Sequence, residues 1–418
     1  MSALAIICEY NPFHNGHQYQ MDKAREITGV SPVICLMSGS MVQRGEPAVF
    51  DKWSRAAMAL TCGADLVAEL PVIYAASSAR RFARGAVRLL TETNAVSHLA
   101  FGIEANDAST LLKLAELLSF PPSGWEKDIQ TGLSHGLSYA TARLQATLKM
   151  IEELGYDQHL SDCQQIMSSP NNILGLEYLI ALNELGSTII PVPITRQGQG
   201  YHSLEQHKFP SATLLRQLLS NGLVPDLASM VPQAVLGIIN EQISKERGPV
   251  SPSSLDALLL YRLRSLPVAE LEKLADIEPG MGSRIKQAAD QAGNREQLRH
   301  NIKTKRYTMT RIDRILLYSL LDITKADVTF SDNNSPNYLR VLGCSSSGQK
   351  ILQKMRLKSQ LSLINRVRPA FKQMQQTVHP GLSSLLLDLK ATDLQALLFN
   401  NPYERYAGQD FTRSQIIF

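Results

Sequence analysis

Acidic residues are missing from one long stretch of this chain. Between Asn333 and Leu387 there is no Asp or Glu, while Arg340, Lys350, Lys354, Arg356, Lys358, Arg366, Arg368 and Lys372 all fall inside it. Cysteine is scarce too. Cys8, Cys35, Cys62, Cys163 and Cys344 are scattered, odd in number and without a CxxC pair, which argues against a disulfide framework or a zinc site and suits a reducing cytosol. No apolar run reaches the ~20 residues that a membrane crossing needs. No basic n-region with a cleavage site heads the chain, so the expectation is a cytoplasmic protein without a membrane segment. Internal repeats and long low-complexity segments are absent, and no feature calls for an obligate protein partner.

What is present is ordinary in bulk and uneven in layout. With 418 residues the chain is long enough for two domains and a sizeable core. The net charge of +4 is small, so its distribution matters more than its size. Arg284 to Arg314 carries nine Lys or Arg against Asp290, Glu296 and Asp313, and the acid-free stretch follows. Cations concentrated in the C-terminal half point to a polyanion there.

The N-terminal half alternates strand and helix. Short apolar runs bounded by turn residues predict strands at Leu4–Cys8, Pro32–Met37, Asp65–Leu70, Ser97–Gly102 and Thr188–Ile194. Helical spacing falls between them at Gln18–Ile27, Asp51–Cys62, Ser77–Thr91, Asn172–Leu185 and Ala212–Asn221. This is the pattern of a parallel sheet with right-handed crossovers, five strands in all. Residues 105–165 read as helices only and are expected to form an insertion. Past Val224 the strand signal fades, and Leu255–Leu266, Val268–Ala275, Met309–Leu321, Ser347–Arg356 and Asp388–Leu398 read as helices. The expected division is a catalytic α/β domain over 1–235 and a basic, mostly α-helical domain over 236–418.

The most informative segment follows the first strand. Asn11-Pro12-Phe13-His14-Asn15-Gly16-His17 puts two histidines around a glycine at a strand-to-helix turn, where an open sheet presents ligands to backbone N–H groups and a helix dipole. The HxGH spacing matches the nucleotidyltransferase signature that also occurs in class I aminoacyl-tRNA synthetases. When an anion attacks the α-phosphorus of ATP, charge builds on the phosphate oxygens and on departing pyrophosphate, and imidazole N–H donors stabilise it without a covalent step. Gly16 leaves room for close approach. Ser211-Ala212-Thr213-Leu214-Leu215-Arg216, with Ser211 as N-cap, suits a turn gripping β- and γ-phosphates.

Other segments carry two readings each. Asn171 and Asn172 either start a helix or bind adenine or ribose through their amides. Arg196 leaves the last strand at its ligand-binding end, as a phosphate contact or a solvated charge. Gly102, ending the fourth strand, permits a nucleobase nearby. Gln43-Arg44-Gly45-Glu46-Pro47 is a mobile active-site loop or a plain surface turn. Lys303–Arg314, with Tyr307 interleaved, is a phosphate-backbone surface or a solvated helix face.

Taken together these residues resemble the bacterial tRNA(Met) cytidine acetate ligases. The marks are Glu9–His17, Gln43–Ala48 with Asp51-Lys52-Trp53, Gly63–Val67 with Glu69-Leu70-Pro71, Phe101-Gly102 with Glu104, Pro170–Gly175, Ser211-Ala212-Thr213, and Lys305–Thr308 with Arg311. The N-terminal block is the most specific. Ala79-Arg80-Arg81-Phe82 departs from the pattern by its charge. The resemblance implies a Rossmann-like nucleotidyltransferase domain followed by a helical tRNA-binding domain. It implies that acetate attacks the α-phosphorus of ATP to give acetyl-adenylate and pyrophosphate. The N4 amine of the wobble cytidine in elongator tRNA(Met) then takes the acetyl group, so the partners are ATP, acetate and that tRNA. By carry-over, Ile7, Cys8, Glu9, Tyr10, Asn11, Pro12, Phe13, His14, Asn15, Gly16, His17, Gln18, Tyr19 and Gln20 wrap the nucleotide. Gly102, Asn171, Arg196, Ser211 and Thr213 complete that site, His14 and His17 act on the phosphates, and Lys305, Arg306, Arg311 and Arg314 meet the tRNA. Mg²⁺ would assist pyrophosphate departure, yet no carboxylate cluster marks a protein-held ion. The rival is an adenylyltransferase of the nicotinamide or pantetheine type, usually shorter and without a basic helical half. A non-catalytic RNA-binding protein is a third reading, against which the intact His pair argues.

Overall fold

The computed structural model describes residues 2–105, 108–156, 159–196, 210–335 and 337–418. Ten strands run along the described chain: β1 Ala3–Cys8, β2 Val33–Ser38, β3 Met41–Val42, β4 Glu46–Pro47, β5 Leu66–Leu70, β6 Val96–Ile103, β7 Ile190–Thr195, β8 Tyr338–Cys344, β9 Ser362–Ile364 and β10 Ile416–Ile417. The main sheet has the order β10-β8-β5-β2-β1-β6-β7, with β9 paired to β8, and β3 and β4 form a separate antiparallel hairpin. Strands β5, β2, β1, β6 and β7 are mutually parallel, each matching an expected strand within two residues. From β1 the chain winds first to β2 and β5, then back to β6 and β7. The order therefore reverses between β1 and β6, and a ligand crevice opens at their carboxyl ends.

Alternation along β1 shows why the sheet is buried on both faces. Ala3 and Ala5 belong to one apolar cluster, and Leu4 and Ile6 to the other. The first cluster takes in the helix Ala79–Glu92, the inserted helices and much of the C-terminal half. The second takes in Met21 and Ala24 of the helix Asn15–Thr28 and the helices Lys52–Thr61, Ala212–Ser220 and Gln233–Ser244. Between β6 and β7 lie four helices, Ala108–Ser119, Trp125–Ser134, Tyr139–Glu153 and Leu160–Ser168, followed by Pro170–Glu184. Residues 106, 107, 157 and 158 of the expected insertion lie outside the described residues.

The C-terminal half is mostly helical but also extends the sheet. Strand β8 pairs antiparallel with β5, and β9 and β10 add in parallel to β8. All seven residues of β8 are buried. Its sequence does not read as a strand because Arg340 sits mid-run. That arginine is buried among partners: Nη1 lies 3.0 Å from Glu69 Oε2, and Nη2 lies 2.5 Å from Asp410 Oδ1. Lys52, itself fully buried, lies 2.9 Å from Glu69 and 3.0 Å from Asp410. Two cations and two carboxylates thus join the helix Lys52–Thr61, β5, β8 and the C-terminal segment. The charged departure at Arg80 and Arg81 is likewise matched, by Glu184 at 2.7 Å and Asp332 at 3.0 Å.

Candidate active site

A cavity of about 370 Å³ lies at the carboxyl ends of β1, β6 and β7, lined by Ile7, Cys8, Glu9, Tyr10, Asn11, His14, Gly16, His17, Tyr19 and Gln20 from the first βα unit. Gly102, Asn171, Arg196 and Thr213 line it from the far side. Arg44, Glu46, Tyr178 and Arg216 also face it.

The two histidines cap their own helix. His14 is the N-cap of Asn15–Thr28: its Nδ1 accepts from Gly16 N–H at 3.1 Å, and His17 Nδ1 accepts from the His14 N–H at 3.2 Å. This is a capping box built from imidazoles. The rings stack with centroids 3.6 Å apart. With both Nδ1 lone pairs engaged, the proton of each neutral ring sits on Nε2. Burial, seconded by Arg196 and Arg216, lowers His14 from 6.5 to about 3. Burial also lowers His17 well below its usual range, with His14 and Arg196 adding to it. The pair therefore presents two uncharged N–H donors at neutral pH, at a helix N-terminus. Tyr10 and Phe13 hold His17 from behind, with ring centroids at 4.8 and 5.5 Å. Gly16 is required by its neighbour: a Cβ there would come within 2.9 Å of His14 Cε1. Gly16 itself lines the cavity, so the missing side chain makes room for the His14 imidazole at the cavity wall.

Arg196 lies across Gly102, where an added Cβ would sit 3.3 Å from its Cγ. Its Nη1 donates to Asn171 Oδ1 at 3.3 Å, and Asn171 in turn donates to Glu104. The tandem asparagines divide the work. Asn171 faces the cavity, whereas Asn172 is buried and accepts from the N–H groups of Glu104 and Ala105 at 2.7 and 3.1 Å, fixing the end of β6. In the late turn, Ser211 caps the helix Ala212–Ser220 through Leu214 N–H and does not line the cavity. Thr213 and Arg216 do: Arg216 donates to Thr213 Oγ1 at 3.1 Å and to Asn11 O at 3.2 Å. Pro12, Phe13, Asn15 and Gln18 lie behind the lining. Phe13 is fully buried, Asn15 donates to Ser229 O, and Gln18 donates to Asp22.

The segment Gln43–Pro47 forms the β3–β4 hairpin. Gln43 N–H donates to Glu9 Oε1 at 2.8 Å. Gly45 has φ +77° and its Cα abuts the backbone of Arg314, 2.5 Å from where a Cβ would be. Glu46 pairs with Arg295 at 3.2 Å, and Arg295 with Asp313 at 2.6 Å. The hairpin thus joins the cavity to the C-terminal helices. Sequence reading misses Arg55, which is buried on the helix Lys52–Thr61 and donates to the carbonyls of Glu9 (2.6 Å), Ser38 (3.0 Å), Phe50 (3.1 Å) and Gly39. Only its setting among alanines hints at a buried guanidinium.

Of the four cations expected to meet RNA, three have internal carboxylate partners. Arg311 lies 3.0 Å and Arg306 3.6 Å from Glu278, and Arg314 lies 3.7 Å from Asp276. Lys305 is exposed and, with Arg284, Arg306 and Tyr307, lines a second cavity of about 460 Å³. Among the described residues no group of three or more His, Cys, Asp or Glu side chains is arranged to hold a metal ion. No helix of the described residues is long and apolar enough to cross a membrane.

Residues 1–410 match the family described as HIGH Nucleotidyl Transferase. The chain is 40% identical over 418 residues to the tRNA(Met) cytidine acetate ligase of Syntrophomonas wolfei, covering 100% of this chain and 99% of that one. It is 39% identical over 423 residues to the ligase of Acetivibrio thermocellus, with both chains covered in full. The chain belongs to the tRNA(Met) cytidine acetate ligase family. A crystal structure of Thermotoga maritima TmcAL bound with alpha-thio ATP superposes with a TM-score of 0.94 at 33% identity, covering 100% of both chains. The five parallel strands, the inserted helices and the helical C-terminal region of this ligase-family chain are thus those of a protein solved with an ATP analogue.

Proposed function

We propose that this chain is an ATP-dependent ligase that activates acetate as acetyl-adenylate and transfers the acetyl group to N4 of the wobble cytidine of elongator tRNA(Met). The observation that carries the first half is the pair of neutral Nε2–H donors of His14 and His17, set at a helix N-terminus in a cavity that Arg44, Arg196 and Arg216 make positive. Acetate is itself an anion, so its attack on a triphosphate needs that positive field. An acetate oxygen bonds to the α-phosphorus, the bond to the β-phosphate oxygen breaks, and pyrophosphate leaves with the electron pair. His14 and His17 donate to oxygens that gain charge, while Arg196, Thr213 and Arg216 hold the phosphates. The nucleoside lies between Gly102, Asn171 and the residues of β1. Any Mg²⁺ enters with the triphosphate. The exocyclic amine of cytidine is conjugated into its ring and is a poor nucleophile, which is why it requires a mixed anhydride as acyl donor.

The tRNA is held by residues 236–418, and residues 1–235 carry out the chemistry. Lys305 and Arg284 at the second cavity, with Arg306 and Arg311 beside them, contact phosphates, and the exposed Lys350, Arg356, Lys358, Arg366, Arg368 and Lys372 extend the basic surface. The enzyme works in the cytosol, where tRNA and acetate are both found. The deciding experiment is incubation with ATP, labelled acetate and bulk bacterial tRNA: label is expected in tRNA, with AMP and pyrophosphate released. ATP–pyrophosphate exchange that does not require acetate would overturn the ligase reading in favour of an adenylyltransferase.

A further inference from the structure

The second half-reaction, as proposed above, releases a proton, because N4 of cytidine carries two hydrogens and the product amide only one. A group in the cavity has to take it, and the hydrogen bonds narrow the choice. His14 and His17 cannot: each Nδ1 lone pair accepts a backbone N–H, and each Nε2 holds the proton of the neutral ring. Arg44, Arg196 and Arg216 are cations. Tyr10 and Tyr178 are buried hydroxyls, and burial raises both above the ordinary tyrosine range. Cys8 is raised in the same way. Two carboxylates line the cavity, Glu9 and Glu46. Glu46 is committed to Arg295. Glu9 stands at the carboxyl end of β1. Its Oε1 is fixed by Gln43 N–H, its backbone carbonyl is fixed by Arg55, and no hydrogen bond or ion pair among the described residues engages its Oε2.

We propose that Glu9 is the general base for acetyl transfer, with Oε2 taking the proton from N4 of the cytidine. The N4 lone pair forms a bond to the acetyl carbonyl carbon. The bond from that carbon to the adenylate phosphate oxygen breaks, and AMP leaves with the pair. The N4 proton passes to Glu9 and from there to water. Glu9 is oriented for this from three elements: Gln43 on the β3–β4 hairpin, Arg55 on the helix Lys52–Thr61, and β1 itself. The charged and titratable groups around it are Arg216, Arg55 and Arg44, together with Cys8, Tyr10 and Tyr178. Burial raises the carboxyl, and the Gln43 N–H and the three arginines oppose that without cancelling it. A raised carboxyl is a stronger base than an ordinary one.

The test supplies chemically prepared acetyl-adenylate at saturating concentration to the full-length protein with tRNA(Met), and follows acetyl transfer in single turnovers as a function of pH. This bypasses adenylation. Wild-type protein is expected to transfer, with a rate that falls on acidification as Glu9 becomes protonated. Glu9→Gln keeps an acceptor for Gln43 N–H, and it is expected to slow transfer roughly 100-fold or more and to abolish that acid limb. Glu9→Asp is expected to restore the limb at a reduced rate, which a merely structural role would not do. If Glu9→Gln transfers at the wild-type rate with the wild-type pH profile, the departing AMP takes the proton itself and the assignment is wrong. If the wild type does not transfer from acetyl-adenylate at all, the ligase reading fails instead.

Discussion

At the scale of single residues, the site is governed by which lone pairs are already taken. His14 and His17 serve as helix caps through Nδ1, which leaves Nε2 as the N–H donor of each ring for the proposed ligand, so one constraint fixes both tautomers. His14→Ala and His17→Ala are each expected to lower acetate-dependent ATP–pyrophosphate exchange by roughly 10² to 10³. The same burial has a pH consequence. His14 falls to about 3 in the folded chain from 6.5, so below pH 6.5 the unfolded chain binds a proton that the folded chain does not. Its contribution to instability grows as pH falls, to about 2 kcal/mol at pH 5. His14→Asn keeps an N-cap and removes this term. Urea unfolding of the ligand-free variant at pH 7 and pH 5 is expected to show a smaller stability difference than wild type. The histidine pair and its glycine were legible because all their constraints are local. Arg55 was not, since its four carbonyl partners come from Glu9, Ser38, Gly39 and Phe50, on three separate connections.

At the scale of elements, the β3–β4 hairpin is the joint between chemistry and the helical half. Gly45 is its tightest point, because φ +77° and the approach of Arg314 each exclude a side chain. Gly45→Ala is expected to cost at least about 1 kcal/mol of stability. It is also expected to slow acetyl transfer from acetyl-adenylate by about 10- to 100-fold by shifting Gln43 away from Glu9, as read by single turnovers beside urea unfolding. The sequence offered this segment as either a mobile loop or a plain turn. Its contacts with Arg295 and Arg314, more than two hundred residues downstream, pack it against the C-terminal helices. Strand β8 is the converse case. The pattern Tyr338–Cys344 is apolar apart from Arg340, and that one charge hides the strand from any reading by alternation. Only the carboxylates of Glu69 and Asp410 make its burial tolerable, and both are remote in sequence. Most of the helices named from the sequence lie within a few residues of their observed bounds, because 3.6-residue spacing and caps are local signals, but the sequence reading misses Gln233–Ser244, Met281–Gln291, Arg295–Ile302, Lys325–Asn333 and Val367–Gln376 and begins Leu382–Ala396 six residues late.

At the scale of the whole molecule, a shared sheet unites the two halves that composition separates. Burial pushes the Asp410 carboxyl up, but Arg340 and Lys52 outweigh it and hold it at about 2. That lies below its unfolded value of 3.8, so the stability it confers is present above pH 3.8 and lost as pH falls through 2. The shift corresponds to about 2 kcal/mol at neutral pH. Asp410→Asn also strands two buried cations on one carboxylate and is expected to destabilise by about 3 kcal/mol in urea unfolding at pH 7. Its acid-induced loss of stability between pH 4 and pH 2 is expected to be flatter than wild type. On the proposed RNA surface, Lys305→Ala is expected to weaken tRNA binding and reduce the salt dependence of the logarithm of affinity by about one unit of slope. A carboxylate-paired cation such as Arg314 should change that slope less, because its charge is already balanced by Asp276.

The edge strands carry one more consequence, for the order in which the molecule is made. Strand β5 leaves the ribosome early and cannot gain its outer neighbour until residues 338–344 have followed; Lys52 and Glu69 lack Arg340 until then, and Asp410 until residue 410 is made. A growing chain that already contains His14, His17 and the proposed phosphate contacts Arg196, Thr213 and Arg216 therefore holds an unfinished, open-edged sheet. On the proposed division of labour, the sheet beneath the adenylating site is in this way left incomplete until most of residues 236–418, which would receive the RNA, have also been synthesised. A stalled or prematurely terminated product would be an aggregation-prone fragment and not a free-running consumer of ATP.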